Sequence, residues 1–230
     1  MVEDSIHTSV WRTSNHTLPT MDARLDGIAA RAERERPQAL QELAAGRKRG
    51  HWVWWIFPTL AVRGGDINSL RQIEGGADLQ SVAEAAAYIA HPGLRPGLLS
   101  AMRAADAAFS VAELPGPWTV LDKGFGRKVD GVWVGGPVDA YKCWCSATLF
   151  AAVAHKQNDA EVRNIAVKVL RHFDGDIKYR SAGPGTAGFV DGEFEQPTYV
   201  LKGADEETLR LVGGATWEEI FAAAKTTDEA

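Results

Sequence analysis

Apolar positions along this chain recur mostly at helical spacing. From residue 21, Leu25, Ile28 and Ala29 fall at i, i+3 and i+4 with Arg and Glu between them, which predicts an amphipathic helix. Pro37 then reads as the first turn of a second helix, one that buries Leu40 and Leu43 and stops at Gly46. Gly64, Gly65, Gly75 and Gly76 bracket a short element. Ser81 and Glu84 form a capping box for a helix running to about His91, and Pro92 and Pro96 frame the entry to another through Leu98, Leu99, Met102 and Phe109. The stretch 114–136 breaks this rhythm. There 118–121 reads as a strand, and Val129 to Trp133, with Asp130-Gly131 at its centre, as a tight hairpin. A long helix is expected over 138–155. A second capping box, Asn158 with Glu161, starts a helix ending near Phe173, and Thr216 with Glu219 caps a last one. Another Asp-Gly turn, Asp191-Gly192, lies in a glycine-rich stretch, and the two turns suggest hairpins paired into one small sheet. The fold class expected is mainly α. It comprises a polar N-terminal arm (1–20), a compact helical domain (21–175) with a small β-hairpin insertion (114–136), and a partly irregular C-terminal extension (176–230) packed on the same domain.

Composition narrows the setting. The 230 residues are 45% hydrophobic and 24% charged, an ordinary globular balance with size for one core. A formal net charge of −5 argues against nucleic acid or an anionic membrane as partner, since both require a positive field. Neither a signal peptide nor a run of about 18 apolar residues is found, so a cytoplasmic location is expected. Cys143 and Cys145 are two apart on the expected long helix, facing different ways, and read as reduced packed thiols. No Cys/His cluster has zinc spacing, so neither metal nor cofactor is expected. The glycine-rich run 183–188 lacks the Lys-Ser/Thr and the strand-to-helix setting of a phosphate loop and reads as a connector.

Three segments share a likeness. The run LQELAAGRKRGHWVWWIFP over 40–58, the segment 85–98 with YIAHP at 88–92, and the pair DAYK (139–142) and SATLFAAV (146–153) together resemble the bacterial domain-of-unknown-function family numbered 1810. Members are often labelled "calpastatin", although nothing in this chain resembles a protease-inhibitory repeat. The resemblance spans about 21–173 with gaps and implies a small helical fold with no established activity. This chain is longer, carries Ser69-Leu70-Arg71-Gln72 after Pro58 where a tyrosine-bearing stretch is expected, and has Cys145 where serine is usual. It reads as a divergent member.

Two blocks carry candidate chemistry. Arg47, Lys48 and Arg49 precede His51, Trp52, Trp54 and Trp55. Cationic groups grip phosphate or carboxylate, and an indole face stacks on a planar ring. Arg47 is the first choice for the anion and Lys48 the second, because the resemblance includes both. Burial in the core is the plainer reading of Trp52 and Trp55. His51 and Trp54 share a face if the segment is helical, and His51 can exchange a proton near neutrality. On the long helix Asp139, Lys142 and Ser146 stand at i, i+3 and i+7. An exposed ion pair is the plain reading there, but the apolar residues around them argue for burial, and buried charges need partners. The two blocks are therefore expected to face each other across a pocket, with Asp139 and His51 as proton carriers and Arg47, Lys48, Trp54, Lys142 and Ser146 holding the ligand. The function expected is that of a small-molecule enzyme or binder for an anionic ligand with a planar group, nucleotide-like or an aromatic acid. Metal-free acid–base hydrolysis such as N-glycosidic cleavage is one version. The alternative is a non-catalytic protein-interaction module, which exposed Trp118, Trp133 or Phe194 would favour.

Overall fold

The computed structural model describes residues 20–61, 78–111, 116–122, 127–129, 132–134, 138–180 and 198–228. In chain order these form α1 (Met21–Ala44), α2 (Val53–Ile56), α3 (Val82–Ala90), α4 (Arg95–Phe109), α5 (Gly116–Leu121), β1 (Arg127–Val129), β2 (Val132–Val134), α6 (Val138–Lys156), α7 (Ala160–Leu170), β3 (Asp174–Arg180), β4 (Thr198–Lys202), α8 (Glu206–Val212) and α9 (Trp217–Asp228). The mainly α class is as expected. The Asp191-Gly192 turn, the 183–188 run, the 64–76 element and most of the N-terminal arm lie outside the described residues.

The centre is α6. Every residue from Ala140 to Ala154 is buried, so this helix has no solvent face over four turns and is the axis of the core. Helices α2, α3, α5, α7, α8 and α9 all pack on it. Around it, α1 lies on α4 and α2, and α4 on α7. Trp52, Trp55 and Trp144 sit in this core, with Trp54, Trp118 and Trp217 packed half-buried at its edge. Both cysteines are buried thiols.

Several local expectations are corrected. Pro37 does not open a second helix: α1 runs through it from Met21 to Ala44. The missing amide costs one backbone bond, and burial of Ala39 and Leu43 on the same stripe as Leu25, Ile28 and Ala32 outweighs that loss. Residues 118–121 belong to helix α5 and are not a strand, although three of the four favour β structure. Packing of Val120 and Leu121 into the core overrides that propensity. The cap of α7 is Asp159, whose carboxylate accepts from Val162 N at 3.1 Å. Asn158, the expected cap, instead takes the left-handed conformation at φ 56°, which Asn tolerates better than most residues. Ser81 does cap α3, accepting from Glu84 N at 3.1 Å. Thr216 and Glu219 bond each other's amides at 3.3 and 2.7 Å.

Strands β1 and β2 pair antiparallel, flanking the expected Asp130-Gly131 turn. The sheet is larger than a hairpin, because β2 pairs parallel with β3, and β3 antiparallel with β4, in the order β1-β2-β3-β4. Two side chains of α6 fasten the link between β4 and α8. Trp144 donates its indole N–H to the Gly203 carbonyl at 2.7 Å, and Thr148 Oγ1 accepts from Asp205 N at 3.0 Å. No described helix is long and apolar enough to cross a membrane.

Candidate functional site

The N-terminus of α6 meets the turn between α1 and α2. That turn is held by Glu42, whose carboxylate accepts from Arg49 N at 2.6 Å, Gly50 N at 2.9 Å, Trp52 Nε1 at 2.7 Å and Gln38 Nε2 at 2.7 Å. Burial pushes its pKa up, but the amides of Gly50 and Arg49 and the side chains of Gln38 and Trp52 outweigh it and hold the group at about 2. The clamp fixes Lys48, whose amide also donates to Val120 O at 2.8 Å. Lys48 is buried, and its ammonium pairs with the carboxylate of Asp139 while lying 5.5 Å from the Trp52 ring centre.

Asp122, at the end of α5, is the residue that sequence reasoning missed. Its two oxygens accept from the amides of Asp139 at 3.0 Å and Ala140 at 2.7 Å. It thus caps α6 from a distant segment and satisfies two of the helix's free N–H groups. No local pattern marks that role, since the cap normally adjoins its own helix. Two carboxylates consequently share one buried neighbourhood. Burial, then the charge of Asp139, pushes the Asp122 carboxyl well above the usual carboxylate range, against the pull of the two amides and Lys48. Asp139 is also raised by burial, against the opposing pull of Lys48, Lys142 and His51. Such a pair titrates as a unit and retains a proton at higher pH than two separate carboxylates would.

The face expected on the long helix is realised. Lys142 is 1% exposed, which rules out a solvated surface pair, and its ammonium lies against the ring of Trp54. Ser146, one turn further, is fully buried and its hydroxyl has no hydrogen-bond partner among the described residues. Trp54 itself is half-buried on α2. The helix there covers just Val53–Ile56, so His51 precedes it and is exposed, yet near enough for its charge to act on Asp139. Arg47 is exposed as well, with its amide on the Glu42 carbonyl at 3.0 Å. The structure thus brings Lys48, His51, Trp54, Asp139 and Lys142 together, leaves Arg47 at the surface, and adds Asp122. Cys143 is no nucleophile candidate: burial, then the charge of Asp122, pushes its thiol up, and a buried neutral thiol is unreactive. Among the described residues no group of His, Cys, Asp and Glu could hold a metal ion. A separate groove of about 650 Å³, lined by Lys202, Leu209, Arg210 and Trp217, shares no residue with this cluster.

Fold and cluster define a mainly helical protein with a buried ion group at the head of its central helix. Residues 25–114 match the model of a family described as "Protein of unknown function (DUF1810)". The matched segment holds Lys48, His51 and Trp54, while Asp122, Asp139 and Lys142 lie beyond it. A crystal structure of the conserved hypothetical protein Rv1873 from Mycobacterium tuberculosis is similar, at 27% identity over 66% of this chain and 88% of that one, with a TM-score of 0.45. No curated protein matches.

Proposed function

We propose that the chain is a small-molecule enzyme or binder whose ligand is anionic and carries a planar group, nucleotide-like or an aromatic acid. The observation that supports this best is the convergence of Lys48 and Lys142 on Asp139, with Lys142 lying against the ring of Trp54. Structural ion pairs rarely need two buried lysines and two carboxylates at one helix end, because desolvating each charge is costly. In this reading Lys48 and Lys142 attract the anion and Trp54 offers ring surface to the planar group. Asp139, its proton affinity raised by burial, exchanges the proton. For N-glycosidic cleavage the carboxylate of Asp139 takes a proton from water as that oxygen bonds to the sugar carbon. The carbon–nitrogen bond breaks with its electron pair going to the leaving base, which protonated His51 neutralises. Asp122 touches no ligand in this scheme and orients Asp139 by holding the helix amides.

The test is a thermal-shift screen against nucleotides, sugar phosphates and aromatic acids, with wild type, Asp139→Asn and Lys142→Met. A ligand that binds the native state should raise the melting temperature of wild type, and both variants should fold and lose that response. Folded variants that respond like wild type would overturn the reading. Failure of both to fold would instead assign the cluster to stability. The alternative, a protein-interaction module, would be favoured by exposure of Trp118, Trp133 or Phe194. Trp118 is half-buried against the core, and the side chains of Trp133 and Phe194 lie outside the described residues.

A further inference from the structure

A second group of polar atoms lies away from the cluster, between α1, α2, α3 and α4. A small cavity of about 10 Å³ is lined by Ala32, Arg36, Trp55, Tyr88, Leu94 and Gly97, among others, room for about one water-sized occupant. Two donors of its lining residues, Arg36 Nε and Trp55 Nε1, are buried without a hydrogen-bond partner among the described residues. Unpaired buried N–H groups are costly enough that each calls for an acceptor. Arg36 is not free to turn away. Its guanidinium lies so close to Gly97 that a Cβ there would collide with it, and its outer nitrogen is engaged by the exposed carboxylate of Glu33.

We infer that this cavity binds one small anion of halide size, held by Arg36 Nε–H and Trp55 Nε1–H. Neither group can accept a hydrogen bond, so the occupant must accept from both. A water would then have to place its own two hydrogens, and the Tyr88 hydroxyl oxygen is the one acceptor among the lining side chains. An anion donates nothing. Two guanidiniums stand at the site: that of Arg36 lines it, and that of Arg31, paired with Glu35 at 2.8 Å, lies 5.3 Å from the Trp55 ring centre. The third polar lining group, the Tyr88 hydroxyl, is pushed up by burial and keeps its proton to donate.

Thermal unfolding of the full chain is compared in sodium bromide and sodium gluconate at equal ionic strength, and bromide is located by anomalous diffraction in crystals grown with it. The melting temperature should stand a few degrees higher in bromide, with an anomalous peak between Arg36 and Trp55. Trp55→Phe keeps a ring and removes a donor, and its bromide response should vanish. Gly97→Ala, which displaces the guanidinium, should lose it too. Equal melting in the two salts with no anomalous peak overturns the inference and leaves a water in the cavity. A response that survives in either variant overturns it equally.

Discussion

At the scale of single residues, Glu42 organises more than any other carboxylate near the site. Four donors converge on it from three sequence positions after α1 and from Gln38 within it. Glu42→Gln keeps the shape and removes the charge that makes these bonds strong, and should cost about 2 kcal/mol in urea unfolding at pH 7. The sign of the pH effect follows from its depressed pKa. The stabilisation is fully present above the ordinary value of 4.5 and is lost as pH falls towards about 2. Wild type should therefore lose its advantage over Glu42→Gln across that window, and parallel pH–stability curves would count against the clamp. Asp122 and Asp139 act in the opposite sense. Their raised affinity for a proton means that the native state holds protons the unfolded chain has released, so this pair's stabilisation falls as pH rises from the ordinary carboxylate range up through the raised native values.

At the scale of elements, α1 and α6 make contrasting demands. In α1 a proline interrupts the backbone ladder at position 37, so Pro37→Ala restores a helical N–H and should stabilise the protein by about 1–3 kcal/mol in the same assay. A destabilised variant would show that the proline's geometry is needed for the seat of Arg36. In α6 the thiols of Cys143 and Cys145 are enclosed. A thiol reagent should therefore modify them at the rate of opening of this helix, orders of magnitude more slowly than in urea-unfolded chain. Rapid labelling of the native protein would contradict a helix buried on all sides. Helix limits show what local patterns carry. Caps with a side chain next to their own helix, Ser81 and Thr216, were legible because the capping bond is local. Residues 118–121 were not, since β-branched and aromatic residues enter a short helix when the core needs their bulk.

At the scale of the whole molecule, the C-terminal elements are joined to the central helix by a few specific bonds. Trp144→Phe removes the indole bond to Gly203 O and should cost about 1–2 kcal/mol. Amides of α8 and β4 should then exchange before those of α4 and α7, as followed by hydrogen exchange, and uniform loss of protection would point to a single cooperative unit.

Sequence alone determined the mainly helical class, the long helix carrying Asp139, Lys142 and Ser146 on one face, and the basic–aromatic run ahead of α2. Each depends on periodicity or on neighbours within one turn, which a linear pattern records directly. Tertiary structure decided which charges are buried together: Lys48 rather than Arg47 turns inward to Asp139, and Asp122 caps a helix that begins 16 residues further on. Those choices depend on which side of a turn meets the core and on desolvation by segments remote in the chain, and no spacing along the sequence encodes them.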